Sequence, residues 1–168
     1  TGVGKTYVGV LAIKRIEMHR KPIYLIVVPS PEIKKQWLMR VSNTFNKTTQ
    51  ERILIETVHT VLNSESIYND VVLIVDESHE FATDERVKIF KNLVKYKALL
   101  CLTASADDKN YWRIKPYAPI VDTITEDEAR DKGFIEELRE YNLGLLLTAD
   151  ETKAYKRWSD TIKEELPK

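Results

Sequence analysis

The sequence holds one cysteine, five glycines and no long apolar run. A single thiol, Cys101, excludes an internal disulfide and fits a reducing compartment; its apolar setting, Leu99 to Leu102, predicts a buried structural thiol. The longest apolar stretches are Ile23 to Val28, Val71 to Val75 and Ala98 to Leu102. All fall far short of the ~18 residues a membrane-spanning helix requires. No basic-then-apolar leader opens the chain, so a cytoplasmic location is expected and no membrane partner. His19 and His59 have no ligand partners at useful spacing, and no transition-metal site is read there. No cluster of exposed aromatics suggests base stacking. What is present, 43% hydrophobic and 31% charged residues over 168 positions, suits one domain, or one domain and the start of a second.

Net charge is absent as well, yet the +0 balance is uneven along the chain. Residues 1–50 carry nine Lys/Arg and two Asp/Glu, a net of 9 − 2 = +7; residues 51–168 carry seventeen and twenty-four, a net of 17 − 24 = −7. A basic segment attracts phosphate, though solvated helix faces give the same count.

Helical and extended patterns alternate. Lys5 to Arg20 reads as a helix with Val8, Leu11, Ala12 and Ile16 on one stripe. Ile23 to Val28 reads as a buried strand. Ser30-Pro31 then opens a second helix, with serine as N-cap and proline in the first turn, and Ile33, Trp37, Val41 and Phe45 recur every four residues. That spacing makes Trp37 a core residue rather than a stacking platform. Ile53 to Glu56 is a short strand, followed by a short helix or turn through Thr60 and Leu62; Val71 to Val75 is a third strand. Asp84 is expected to cap a helix from Glu85 to Tyr96, and Ala98 to Thr103 to form a fourth strand. Continuous apolar strands separated by helices predict an α/β domain with a mostly parallel sheet covered on both faces. After Ser105, Pro116, Pro119 and Gly133 break the pattern; Arg139 to Leu147 reads as a strand and Asp150 to Glu165 as a helix.

Two stretches carry chemistry. Thr1-Gly2-Val3-Gly4-Lys5-Thr6 matches the end of a phosphate-binding loop, in which glycines let backbone N–H groups converge on an anion at a helix start. Lys5 then reaches the β- and γ-phosphates and Thr6 binds Mg²⁺; the alternative is a Gly-rich turn before a helix. Asp76-Glu77-Ser78-His79 follows the strand Val71 to Val75, which sets two carboxylates at the sheet's C-terminal edge, where α/β ligands bind. Asp76 suits Mg²⁺ and Glu77 the activation of water; the alternative is an acidic helix start stabilised by the dipole. Lys5 and Asp76 stand 71 residues apart with helix, strand, helix, strand between them, the room a doubly wound sheet needs.

With these motifs in order, the chain resembles the first RecA-like domain of superfamily 2 helicases of the DExH group, related to phage helicases and restriction-enzyme motor subunits. Asp76-Glu77-Ser78-His79 is similar to the DExH box. Val28-Pro29-Ser30-Pro31-Glu32-Ile33-Lys34-Lys35-Gln36-Trp37 resembles motif Ia, and Leu102-Thr103-Ala104-Ser105 resembles motif III, with Ser105-Ala106 where Thr-Pro is common. Leu147-Thr148-Ala149-Asp150-Glu151 with Tyr155 resembles the approach to the second motor domain. The resemblance implies a RecA-like P-loop ATPase that binds ATP and Mg²⁺ and moves along nucleic acid, DNA ahead of RNA. It implies Lys5, Asp76, Glu77 and His79 as catalytic residues and Thr1, Gly2, Val3, Gly4, Lys5 and Thr6 as the nucleotide cradle. Thr6 and Asp76 serve the metal, Thr103 and Ser105 couple hydrolysis to the track, and Ser30, Thr57 and Thr60 contact strand phosphates. Plain N-capping accounts equally for Ser30, and Glu32 opposes a phosphate there. The expected organisation is residues 1–135 as the first motor domain, its first strand lying before Thr1, and residues 136–168 as its end and the connection to a second RecA-like domain. No Q-x-x-R-x-x-R stretch, which the family uses for its arginine finger, occurs in these residues. A double-strand translocase that never unwinds, and a P-loop ATPase that drives a protein machine, remain as alternatives.

Overall fold

In the computed structural model, residues 4–64, 68–105, 109, 111–133 and 148–165 are described. Four parallel strands form one sheet: β1 (Tyr24–Val28), β2 (Ile53–Thr57), β3 (Tyr68–Val75) and β4 (Val94–Cys101), in the order β2-β1-β3-β4. The register aligns Val28 with Thr57 and Val27 with Val75, so the strand ends share one edge. Parallel neighbours require crossovers, supplied by the segments between the strands. Alternate residues of β1 show why the sheet is apolar on both faces. Leu25 and Val27 join Leu73 and Val75 in one core with Val58, Val61, Phe81, Phe90 and Ile114. Tyr24, Ile26 and Val28 join Ile74 and Ile55 in the other, against Val10, Ile13, Trp37 and Val41. The second core is covered by helices α1 (Lys5–Glu17) and α2 (Pro31–Thr44).

Short elements complete this unit: α3 (Lys47–Gln50), capped by Asn46, α4 (Val58–Leu62), capped by Thr57, and α5 (Glu126–Asp131), capped by Thr125. At the edge of the sheet opposite the strand ends, Glu17 accepts from Tyr24 Oη at 3.0 Å and from Thr49 Oγ1 at 3.2 Å, and pairs with Arg52. This ties α1 to the starts of β1 and β2.

The helix expected over Glu85 to Tyr96 does not form. The chain makes a 3-10 turn at Ser78–Phe81, further turns, and one π turn at Ile89–Leu93, where Val94 N–H reaches back five residues to Ile89 O. The strand wins residues 94–97 because Val94 and Lys95 pair with Tyr68 and Asn69. What remains is too short for a regular helix, and its apolar residues Val87, Ile89 and Phe90 are buried without one. Nor does Asp84 cap. Thr83 Oγ1 accepts from Arg86 N at 3.2 Å instead, while Asp84 pairs with Arg113 at 3.2 Å. β3 starts earlier than expected, with a bulge at Asp70, whose φ is 61°.

The chain divides into two compact units, Thr1–Ile135 and Glu136–Lys168. The second contains helix α6 (Ala149–Glu165), opened by Thr148, whose hydroxyl accepts from Glu151 N at 3.3 Å. The strand expected over Arg139 to Leu147 lies outside the described residues. Among the described residues no helix is long and apolar enough to cross a membrane.

Candidate functional site

The four strand ends put the chemistry-bearing residues on one edge. β3 runs into Asp76, whose N–H donates to Val27 O at 3.0 Å. Leu102 N–H donates to Val75 O and Ser78 N–H to Leu102 O, both at 2.8 Å, so the ends of β3 and β4 are stitched together beyond the sheet. Glu77 turns the chain with φ 49° and ψ 49°, a left-handed conformation a side chain adopts only at a cost of about 1–3 kcal/mol. The turn aims Glu77 at Lys5: Nζ lies 3.1 Å from Oε1. Glu77 Oε2 is buried with no hydrogen-bond partner among the described residues, 3.5 Å from His79 Nδ1. His79 Nδ1 meets Thr103 Oγ1 at 2.9 Å, and Thr103 Oγ1 accepts from Ser105 N at 3.0 Å. Lys5, Glu77, His79, Thr103 and Ser105 therefore form one connected chain of contacts.

Asp76 is the most deeply buried carboxylate here, 4% exposed. Desolvation pushes its pKa above the usual range; hydrogen bonds from Trp37 and from Glu77 N–H pull the other way. Trp37 Nε1 donates to Oδ2 at 2.8 Å and Glu77 N to Oδ1 at 3.0 Å. The Trp37 bond is a feature the sequence reading missed. Its signal was available, because a buried indole needs a partner for its N–H.

The start of α1 differs from the other helix starts of this unit. Gly4 occupies the cap position with φ 81°, no side chain caps the helix and no acid lies in its first turn. The first N–H groups of a helix need partners and favour an anion. Thr6, in that first turn, borders an open groove with Gln36, Met39, Arg40, Asn43 and Thr44 of α2. Thr1, Gly2 and Val3 lie outside the described residues.

Ser30 and Thr57 sit at neighbouring strand ends, since Val28 pairs with Thr57. Both are N-caps: Ser30 Oγ accepts from Ile33 N at 3.4 Å and Thr57 Oγ1 from Thr60 N at 3.3 Å, with Thr60 Oγ1 3.0 Å away. Glu32 folds back onto its own N–H and the Ser30 hydroxyl, which hold its pKa below the ordinary value. A carboxylate thus faces the start of α2. Lys34 bridges to Glu56 at 2.8 Å and joins α2 to β2. These residues connect to the Lys5–Glu77 group through Asp76, whose N–H donates to Val27 O and whose Oδ2 accepts from Trp37. In the first unit Trp112 is 63% exposed against Arg113; in the second, α6 exposes Tyr155 and Trp158, one turn apart.

Residues 1–108 match the protein family described as ResIII, type III restriction enzyme, res subunit. Comparison with curated proteins finds no match. Among solved structures, the Sulfolobus solfataricus SWI2/SNF2 ATPase core in complex with dsDNA superposes with a TM-score of 0.58 at 18% identity, over 71% of this chain and 30% of that one. The Pyrococcus furiosus Hef helicase domain superposes with a TM-score of 0.59 at 17% identity, over 73% and 32%. This chain spans about a third of each. At such identities the likeness is one of fold, and the fold is that of RecA-like helicase domains.

Proposed function

Because the chain belongs to the type III restriction enzyme res subunit family, a superfamily 2 helicase-like ATPase domain, we propose that it is the first motor domain of an ATP-dependent helicase or translocase. On this reading residues 1–135 are the ATP-binding domain, and residues 136–168 finish it and lead to a second RecA-like domain in the same protein. The observation that carries it is the Lys5–Glu77 pair beside the uncapped start of α1. A lysine, a row of helix N–H groups, the buried Asp76 and the half-buried Glu77 suit a magnesium nucleotide. Glu77 Oε2 is buried with no hydrogen-bond partner among the described residues, a partner that a water would supply.

The residues divide the work. Gly4 and the first turn of α1 receive the phosphates, and Lys5 leaves Glu77 for the β- and γ-phosphates. Glu77, freed of Lys5, orients the attacking water and takes its proton. Thr6 and Asp76 hold Mg²⁺, whose charge offsets that of the phosphates. His79 carries the change at Glu77 to Thr103 and Ser105. Ser30, Thr57 and Thr60 face strand phosphates, so movement follows a single strand, DNA ahead of RNA. A double-strand translocase without unwinding uses the same parts. The resemblance to motif Ia at Ser30 disfavours a protein-machine ATPase, in which Ser30 and Thr57 serve as plain N-caps.

The test separates binding from turnover in the full-length protein. Lys5→Ala is expected to weaken binding of a fluorescent ATP analogue at least tenfold. Glu77→Gln is expected to leave binding within a few-fold and cut steady-state hydrolysis by roughly 10²-fold or more, as for loss of a general base. Wild-type turnover in Glu77→Gln removes Glu77 from the mechanism.

A further inference from the structure

Trp37 does more than its spacing on α2 suggests. Its ring is fully buried, seven residues and so about two turns beyond Ser30. For packing alone a phenylalanine or leucine suffices, and neither brings an N–H that must be satisfied in the core. Here that N–H points at Asp76 Oδ2, 2.8 Å away, while Glu77 N–H holds Oδ1. Both carboxylate oxygens are fixed, one by the turn that carries Glu77 and one by helix α2. Each oxygen keeps a lone pair for a cation or its water.

The ring is braced from the far side. Gly9 lies in α1, four residues after Lys5, and a Cβ there would stand 2.5 Å from Trp37 Cη2 and 3.2 Å from Leu102 Cδ1. Glycine inside a helix costs about 1 kcal/mol relative to alanine. Its presence is explained by the ring lying directly on the α1 backbone. Trp37 therefore lies against the helix that carries Lys5 and Thr6, bonds the carboxylate at the end of β3 and shares a core with Leu102, while belonging to the helix that starts at Ser30. This adds a side-chain link to the backbone one, in which Asp76 N–H donates to Val27 O three residues before Ser30.

We propose that Trp37 is a positioning residue: its indole N–H fixes the Asp76 carboxylate for the divalent cation and locks helix α2 to the nucleotide site. The inference rests on the nucleotide-site reading above and adds a second route, beside His79 and Thr103, by which a strand held at α2 is felt at the metal. Partners that orient a metal-ligating group are worth roughly ten- to a hundredfold in metal affinity.

The experiment titrates Mg²⁺ against a fluorescent, non-hydrolysable ATP analogue bound to the full-length protein, reading the Mg²⁺ concentration that gives half-maximal nucleotide binding. Trp37→Phe keeps most of the ring and loses the donor. A second variant carries benzothienylalanine at position 37, with the same bicyclic outline and sulfur in place of N–H, so its packing survives. Both are expected to shift the Mg²⁺ midpoint up roughly tenfold, to leave Mg²⁺-free nucleotide binding unchanged, and to blunt stimulation of the ATPase by single-stranded DNA. A variant that melts earlier yet keeps the wild-type Mg²⁺ midpoint overturns the proposal and leaves Trp37 a packing residue. Wild-type protein that binds no nucleotide overturns the site reading and this inference together, an outcome distinct from wild-type binding with an unmoved midpoint.

Discussion

Three residues show how far local chemistry reaches. Glu77 holds a left-handed backbone beside the stitched ends of β3 and β4, and the turn places its carboxylate on Lys5. Gly9 is read from sequence as an unremarked helix position, yet it lies beneath Trp37. Gly9→Ala should gain up to about 1 kcal/mol of helix propensity and lose about 1–3 kcal/mol to overpacking, because a fully buried ring has nowhere to retreat. Net destabilisation is expected in urea unfolding, and an equal or higher midpoint would show that α1 does not press on the ring. Cys101 is the third. Burial pushes its thiol up to about 12, so at pH 8 the folded protein holds almost no thiolate, the form that reacts. Labelling by a maleimide or disulfide reagent should be roughly a thousandfold slower than in denaturant, given an ordinary thiol pKa of about 8.5. It should quicken about tenfold per pH unit in the folded state and level off near pH 9 in the unfolded one. Fast labelling of folded protein at pH 8 would place the thiol in water.

Among the elements, legibility followed contiguity. β1 and β3 announce themselves as unbroken apolar runs, and Ser30-Pro31 marks the start of α2 because cap and first-turn proline are adjacent in sequence. The candidate nucleotide residues are legible for the same reason, each motif being a short stretch at the end of an element. The segment before β4 fails because Val94 to Lys97 fits a helix or a strand by itself, and pairing with β3 decides. α3 and α5 span four and six residues, too few to show a helical period. The Trp37–Asp76 bond joins residues 39 apart, and periodicity reports only that Trp37 is buried. Ser30 tests the capping side of α2. Ser30→Ala removes an acceptor whose bond is long, 3.4 Å, so a loss of about 0.5–1 kcal/mol in chemical denaturation is expected. A loss near zero would mean that Glu32 alone satisfies the helix start.

At the scale of the whole molecule, charge and topology bear on how a strand is gripped. The +7 of residues 1–50 is spread over α1, the segment before β1, α2 and α3, and part of it is already used: Lys34 is paired with Glu56. Lys35 and Arg40 remain exposed on α2. Ser30 and Thr57 are two capped helix starts side by side, and Glu32 lies in the first turn of the first of them. If the strand is held there, binding must displace Glu32, and the carboxylate lowers affinity in the free protein. Glu32→Ala is therefore expected to tighten binding of a labelled single-stranded oligonucleotide several-fold at low salt, and Ser30→Glu, which adds a second carboxylate, to weaken it by a similar factor or more. Contacts to phosphate carry little sequence information, so both shifts should be alike for oligonucleotides of different base composition. Affinity should fall with salt, each phosphate contact adding about 0.7 to the log–log slope on a single strand. The exposed Tyr155 and Trp158 of α6 supply the contrasting mechanism: base stacking is worth about 1–3 kcal/mol per base and grips without that salt cost. Fluorescence anisotropy over a salt series decides between them. A shallow slope, with affinity unmoved by Glu32→Ala and Ser30→Glu but reduced by Trp158→Ala, would take the strand off α2 and place its grip on the aromatic face of α6.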